Sequence, residues 1–326
     1  MSKVPIGYYS MKILEEPNGK NKGALILSQV DCLVEKFPYI KDKFYLIERR
    51  GWRGLNESRH ADIKLVEDLS YWDETLRKFP QSICLNIGPA DFIDSDEFKP
   101  LEIEKIYDGI QVSHWTDFKR PEMLIETASL LPSRRFLKLG HFVEGGSDSE
   151  YELRDKCISL AERLGANIDF PYAKAKNNAD FPDSKETMNH YINSAKIGIL
   201  TTKVEGINRF KMECLSAGIP VLAPSDTSYP TKKHINKETG EFFKPTPKGL
   251  AETIERMLSN LYRYNPREYI LNNTGKPIAL KKLKNALEAL CVRDRIDSQF
   301  ENIDWDGRNQ SLIWGERVFE TLRRYE

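Results

Sequence analysis

The stretch Lys196–Val221, KIGILTTKVEGINRFKMECLSAGIPV, decides the fold of this chain. It opens with the short apolar run Ile197–Thr201, which is typical of a buried parallel strand. A polar loop follows, and the apolar spacing after it predicts a helix over Arg209–Ala217. Gly218 suits the end of that helix, and Pro220 stops the helix from resuming before the next strand. The stretch is therefore a strand, a loop, a helix and a strand.

The loop of this stretch is the candidate ligand site, because ligands of open α/β sheets bind at the carboxyl ends of the strands. It carries Glu205, and Glu213 follows inside the helix. Free N–H groups at the helix start suit a diphosphate, while the loop carboxylate can bind sugar hydroxyls and the helical one a ribose. The alternative is that both glutamates are solvated surface charges.

The segment EGINRFKMECLSAGIPVLAPSD, residues 205–226, resembles the signature of the retaining family 4 glycosyltransferases. The residues in register with that signature are Glu205, Gly206, Glu213, Ala217, Gly218, Pro220, Val221 and Ala223. Asn208, Arg209 and Phe210 depart from it, because the family has small or apolar residues and a proline there. The resemblance implies an α/β chain of the GT-B fold, in which two Rossmann-type domains with parallel sheets face a cleft.

The resemblance also implies roles for residues around this segment. Lys119 is in register with a family lysine that binds the donor diphosphate, and His114 stands where the family has an arginine. A histidine is the weaker partner, since it is charged only at lower pH. Tyr172 follows a predicted strand where the family seats the nucleotide base, with plain packing as the alternative. The remaining residues of the expected donor site are Gly206, Ile207, Asn208 and Arg209.

The first hundred residues predict an abbreviated Rossmann-like domain. We expect strands at Val4–Tyr9 and Phe44–Ile47 and, from its apolar spacing, a helix over Ala24–Phe37. The loop before that helix carries Gly19 and Gly23, which form only part of a dinucleotide-binding glycine pattern. The resemblance implies a loop on the acceptor side that approaches the donor phosphates, and an ordinary surface turn is the alternative.

Composition predicts a globular chain of about two domains. The chain has 326 residues, of which 40% are hydrophobic and 30% charged, and its formal net charge is +0. A neutral chain favours neither nucleic acid nor an anionic membrane surface. No apolar run approaches a membrane span, and the start MSKVPIGYYS lacks signal-peptide features, so we expect a cytoplasmic protein with peripheral membrane contact left open.

The cysteines and acidic residues predict no metal site. The five cysteines are odd in number and widely spaced without a C-x-x-C, which is typical of reduced thiols in a cytosol. No D-x-D stands where the resemblance would have it hold a metal. We therefore expect no cofactor, and the resemblance implies a UDP- or GDP-sugar as co-substrate.

Together with the motifs, the resemblance implies a first domain over residues 1–104, a nucleotide-sugar domain over 105–300 and a final helix within 301–326 that crosses back to the first. The expected activity is transfer of a sugar, with retention and without a metal, to a glycan, lipid-linked or small-molecule acceptor. Two alternatives stay open. One is a binding or partner protein that keeps the fold without turnover, and the other is a GT-B epimerase or hydrolase of nucleotide sugars.

Overall fold

The computed structural model of the protein describes residues 5–49, 58–142, 146–174, 184–297, 300–308 and 311–326. The chain divides into two compact units, one formed by Met1–Phe92 with Thr274–Glu326 and the other by Ile93–Asn273. These boundaries differ from the predicted ones at 104 and 300. The chain returns to the first unit earlier than predicted because the helix Lys276–Asp294 packs its leucines into the core of that unit.

The helices and strands follow one another along the chain as three groups. The first group lies in the first unit: β1 (Ser10–Glu15), β2 (Gly23–Leu27), α1 (Val30–Lys36), α2 (Ile40–Lys43), β3 (Phe44–Arg49), β4 (Ile63–Leu65), α3 (Trp72–Lys78) and β5 (Ile83–Leu85). The second group forms the second unit: β6 (Tyr107–His114), α4 (Pro121–Leu130), β7 (Phe136–His141), α5 (Asp148–Leu164), β8 (Ile168–Asp169), α6 (Lys185–Asn193), β9 (Ala195–Ile199), α7 (Arg209–Ser216), β10 (Val221–Pro224), α8 (Tyr229–Lys232), β11 (Gly240–Phe243), α9 (Pro247–Leu258) and α10 (Pro266–Asn273). The third group completes the first unit: α11 (Lys276–Asp294), β12 (Ile313–Trp314) and α12 (Glu316–Arg323).

The sheet of the first unit has the order β12-β1-β2-β3-β4-β5. Strands β2 to β5 are parallel to one another, whereas β1 runs antiparallel to both β2 and β12. Helix α11 packs on one face of this sheet, and α1 and α12 pack on the other. Both faces are covered, which is why the central strands are apolar on both sides.

The predicted helix Ala24–Phe37 is wrong in its first part. Residues Gly23–Leu27 form β2, and the helix begins only at Val30. Along β2, Ala24 and Ile26 belong to the core under α11, while the alternate residues belong to the core under α1. Apolar spacing does not distinguish a strand that is buried on both faces from a buried helix.

The glycine loop of the first unit is consequently a hairpin turn between antiparallel strands. The first strand lies at Ser10–Glu15, whereas Ile6–Tyr8 of the predicted strand form a 3-10 turn. Gly19 lies in the turn with a φ of 60°, and Gly23 begins β2. The loop thus lies at the amino end of β2, opposite the edge where parallel strands present ligand sites. The predicted order of a strand, a glycine loop and a helix is therefore wrong in this part of the chain.

The sheet of the second unit has the order β11-β10-β9-β6-β7-β8, and its neighbouring strands are all parallel. Strand β6 comes first along the chain and lies inside the sheet. From β6 the chain adds β7 and β8 on one side, and it then crosses over to add β9, β10 and β11 on the other. The carboxyl ends of β6 and β9 therefore form the topological switch point, where ligands of such sheets bind.

The elements predicted from the deciding stretch are confirmed as β9, α7 and β10. Gly218 follows α7 with a φ of 79°, a backbone conformation that glycine adopts without steric cost. The loop between β9 and α7 leaves the sheet at the switch point. The mixed α/β class with two largely parallel sheets is likewise confirmed.

Candidate functional site

Glu205 lies in the loop between β9 and α7 and is held there by several hydrogen bonds. Asn208 caps α7: its Oδ1 accepts from the N–H of Lys211 at 2.7 Å, and its Nδ2 donates to Glu205 Oε2 at 2.6 Å. Ser228 accepts from the Glu205 N–H at 2.9 Å and donates to the Glu205 carbonyl oxygen at 2.6 Å. Asn208, one of the residues that depart from the family signature, therefore both caps α7 and orients the Glu205 carboxylate.

Lys119 and Glu205 meet across the switch point. Lys119 follows β6, Glu205 follows β9, and their Nζ and Oε1 atoms are 2.6 Å apart. The lysine side chain is 5% exposed, whereas the glutamate side chain is 23% exposed, so solvent reaches the pair from the carboxylate side. Two residues that the sequence assigned to one donor site are thus in direct contact. A charge-assisted contact of this kind is strong and directional.

The backbone around Lys119 is fixed to the end of β9. The Thr201 hydroxyl donates to the Lys119 carbonyl oxygen, and Arg120 Nε donates to the Thr201 carbonyl oxygen at 2.6 Å. The Arg120 guanidinium also binds Asp226 through two hydrogen bonds of 2.9 Å, which hold the pKa of that carboxyl group below its usual value. Arg120 thereby joins the loops that follow β6, β9 and β10.

His114 lies at the carboxyl end of β6, beside His141 at the end of β7. The two residues are register partners in the sheet, and their ring centroids are 3.9 Å apart. Burial and the charge of Lys119 lower the pKa of His114. Burial together with the neighbouring His114 and Lys138 holds the pKa of His141 well below its usual value. The pH range in which His114 carries a charge is therefore shifted to lower pH.

A fully buried lysine lies next to this histidine pair. Lys138 Nζ donates to the Ser113 hydroxyl at 2.8 Å and to the Ser113 carbonyl oxygen at 3.0 Å. It also lies 4.7 Å from the ring centroid of Trp115, which packs so closely on Gly140 that any Cβ there would clash with the indole. Burial lowers the pKa of Lys138 to about 7. The edge formed by β6 and β7 is consequently rich in basic groups.

Glu213 lies within α7, and 11% of its side chain is exposed. Its Oε1 is 3.2 Å from Nε of Arg209, four residues earlier on the same helix. Arg209 thus neutralises this carboxylate, although 28% of the arginine side chain remains exposed. Gly206 and Ile207 are buried in the preceding loop, where they shape the backbone and present no charged group.

Tyr172 lies in the turn after β8, at the outer edge of the sheet. Its hydroxyl is 3.2 Å from the hydroxyl of Tyr191 on α6, and its ring is partly buried against the core under α5. Burial and this contact raise the pKa of Tyr172 above its usual value. β8 is separated from β6 by β7, so Tyr172 lies two strands from the switch point.

None of the described helices is long and apolar enough to cross a membrane. Among the residues that the structure describes, no group of three or more histidine, cysteine, aspartate or glutamate side chains could hold a metal ion.

Sequence analysis missed four residues of this edge: Arg120, His141, Ser228 and Asp226. Each depends on pairing between segments that are far apart along the chain. His141 ends β7 as His114 ends β6. Parallel neighbours bring such ends together.

Comparison with known proteins finds similarity in structure only. No protein-family model matches the chain, and neither does any curated protein sequence. Anabaena HepE in complex with UDP is similar with a TM-score of 0.62 at 12% identity, over 80% of this chain and 77% of that chain. Sucrose-phosphate synthase from Thermosynechococcus elongatus is similar with a TM-score of 0.60 at 16% identity, over 80% of this chain and 71% of that chain. A glycosyltransferase from Rickettsia africae is similar with a TM-score of 0.56 at 15% identity, over 80% of this chain and 79% of that chain. At these identities the likeness concerns the fold, and this chain has the GT-B fold of these glycosyltransferases.

Proposed function

We propose that this chain transfers a sugar from a nucleoside diphosphate sugar to an acceptor hydroxyl group. The observation that carries the proposal is the Lys119–Glu205 ion pair at the switch point of the second sheet. A cationic group for a diphosphate and a carboxylate for sugar hydroxyls are the two groups that such a donor requires. Because a structural relative binds UDP, a UDP-sugar is the first donor to test and a GDP-sugar the second.

In this proposal the ion pair opens when the donor binds. Lys119 turns from the carboxylate to the diphosphate, and Glu205 is released to accept hydrogen bonds from the sugar. Asn208 and Ser228 keep Glu205 in place during the exchange, since their hydrogen bonds to it do not involve Lys119. The exchange conserves the number of charge-assisted contacts, which keeps its energetic cost low.

The transfer step breaks the bond between the anomeric carbon and the diphosphate oxygen, and that oxygen keeps the electron pair. The acceptor oxygen then bonds to the anomeric carbon on the same face, and the acceptor proton passes to the leaving diphosphate. Lys119 stabilises the charge that develops on the leaving group, together with N–H groups of the first turn of α7. We assign this stabilisation to protein groups without a metal, and retention of configuration is part of the proposal.

Two further contacts complete the proposed donor site. Glu213 would accept hydrogen bonds from the ribose, in place of part of its contact with Arg209. Tyr172 would lie against the base. The acceptor is a glycan, a lipid-linked sugar or a small molecule, and the site residues described above do not distinguish among these.

The proposal is tested by a thermal-shift screen of UDP, GDP and their common sugar derivatives, followed by product analysis. A ligand that binds only the folded state raises its apparent stability, so donors should raise the melting temperature. Release of the nucleoside diphosphate should then require an acceptor. Donor binding without turnover would identify a binding protein, and conversion without an acceptor would identify an epimerase or hydrolase. No stabilisation by any of these nucleotides would overturn the proposal.

A further inference from the structure

The basic edge of β6 and β7 contains a pair of histidines that the proposed transfer step leaves unused. His114 and His141 are register partners at the carboxyl ends of adjacent parallel strands, with ring centroids 3.9 Å apart and an interplanar angle of 49°. Both residues keep part of their surface exposed, so a ligand can reach them. Nδ1 of His114 is enclosed without a hydrogen-bond partner among the described residues. His114 therefore has unused capacity to bind a proton.

The charged groups around the pair are mixed in sign, and the positive ones dominate at His141. Lys119 and Lys138 disfavour protonation of both rings, while Glu150 of α5 and Glu205 favour protonation of His114. Lys138 is fully buried, and its hydrogen bonds reach neutral oxygens of Ser113. Glu205 is itself occupied by Lys119 in the free chain. Burial, together with this balance of charges, lowers the pKa of both imidazoles and keeps them neutral at neutral pH before a ligand arrives.

We propose that the His114–His141 pair is a proton-accepting part of the donor site, and that the chain takes up a proton there when it binds a nucleoside diphosphate. The inference rests on the proposed function, since it concerns the same edge of the sheet as Lys119. A diphosphate brings several negative charges to this edge and reverses the local balance of charge. An imidazolium can then donate a hydrogen bond to a phosphate oxygen, in the position where the resemblance would put an arginine.

The direction of the pH dependence follows from linkage. In the free chain the pKa values of both imidazoles lie below the usual 6.5. A bound anion raises both pKa values, so at any pH between the pKa of the free chain and that of the complex, the complex holds more protons. Nucleotide affinity therefore increases as the pH falls through the pKa of the complex, and it levels off below the pKa of the free chain. Each unit by which binding raises the pKa corresponds to about tenfold in affinity between the two limits.

The test is isothermal titration calorimetry with UDP and with GDP at pH 7.0 to 8.0, in two buffers of different ionisation enthalpy. The terminal phosphate of the nucleotide has a pKa of about 6, so at these values it contributes few protons of its own. The difference in heat between the buffers gives the number of protons taken up. The variants are His114→Gln, His141→Gln, their combination, and His114→Arg. The control is His190→Gln, which replaces an exposed histidine on α6 of the same unit.

The parent and the His190→Gln control should take up a measurable fraction of a proton for each nucleotide bound. Most of that uptake should disappear in the double variant, which should still melt cooperatively. His114→Arg should bind with little dependence on pH, because its charge is fixed. Binding without proton uptake in the parent would overturn this inference and leave the proposed function intact, and so would unchanged uptake in the double variant. If no nucleotide bound at all, both proposals would be wrong.

Discussion

The two units each contain a lysine–glutamate pair near the carboxyl ends of neighbouring parallel strands, and the surroundings of the two pairs differ. In the first unit, Glu48 of β3 and Lys64 of β4 are register partners whose side chains are 1% and 2% exposed. The Ser58 N–H donates to Glu48 at 2.8 Å, and Lys64 donates to the Ser58 carbonyl oxygen at 2.5 Å. This pair is enclosed and its hydrogen bonds are supplied from within.

The pair in the second unit lies on loops beyond the strand ends. Lys119 is nearly enclosed, but 23% of the Glu205 side chain is exposed. An ion pair that solvent reaches on one side can exchange its partner for a ligand, whereas an enclosed one cannot do so without unfolding its surroundings. The same two residue types thus stabilise a sheet in one unit and form a candidate site in the other. The two pairs differ in how deeply they are buried, which the sequence does not predict.

The largest effect should come from breaking the enclosed pair. Lys64→Met removes the cation that lies 2.5 Å from the buried Glu48 carboxylate, and removing one partner of such a pair costs about 3–5 kcal/mol. We expect a loss of that size in the free energy of unfolding from denaturant titration. The double variant Lys64→Met with Glu48→Leu is the control, since it removes both charges and should recover most of the loss. Equal stability of the single variant and the parent would show that this pair does not support the fold.

The next effect separates the two carboxylates of the proposed donor site. Glu205→Gln should reduce turnover more than it reduces affinity for UDP, which has no sugar for Glu205 to bind. Glu213→Gln should weaken UDP and the UDP-sugar alike, by about 1–3 kcal/mol, because it removes a largely buried charged acceptor. Arg209→Gln is the control, since it removes the helical partner of Glu213 and keeps the carboxylate.

Titration of both ligands into each variant, followed by a turnover assay, makes this comparison. Folded variants with unchanged binding and turnover would support the alternative that both glutamates are solvated charges.

A further effect, spread over several pH units, concerns a buried lysine whose hydrogen bonds, within the described part of the chain, reach neutral oxygens. Burial lowers the pKa of Lys138 to about 7 in the folded chain, against an unfolded value near 10.5. Between these values the unfolded chain binds more protons, so this group makes stability increase with pH and costs most below pH 7. Relative to that of Lys138→Met, the free energy of unfolding of the parent should increase by about 1.4 kcal/mol for each pH unit from ~7.5 to ~10. Denaturant titrations at several pH values measure this difference, and a constant difference would contradict the lowered pKa.

Sequence predicted the second unit better than the first, and the reason lies in particular residues. Gly218 and Pro220 end α7 at a defined point, so the strand, helix and strand around them follow directly. In the first unit the run Ala24–Leu27 is apolar on both faces, and its spacing fits a strand and a helix equally well. The hairpin at Gly19 was missed for the same reason.

The charged residues of the candidate site could be predicted from the sequence, but the contacts among them could not. Lys119 and Glu205 were each predicted, but their ion pair depends on β6 and β9 being neighbours in the sheet. The partnership of His114 with His141 depends on the register of β6 and β7, and that of Arg120 with Asp226 on loop geometry. Such contacts between distant segments follow from topology, which composition and spacing leave undetermined.

In the proposed function, Lys119 leaves its ion pair with Glu205 and binds the donor diphosphate. The chain offers a matched control in Lys196, which lies at the amino end of β9 and so at the opposite end of the strand from the candidate site. Its Nζ is 2.8 Å from a carboxylate oxygen of Asp108. The most direct measurement is a calorimetric titration of UDP, and then GDP, into the parent, Lys119→Ala and Lys196→Ala.

Loss of a charge-assisted contact is worth roughly 1.5–3 kcal/mol, so Lys119→Ala should weaken binding about ten- to hundredfold. Lys196→Ala should bind like the parent. Equal affinity of the parent and Lys119→Ala, or an equal loss in the two variants, would contradict the claim.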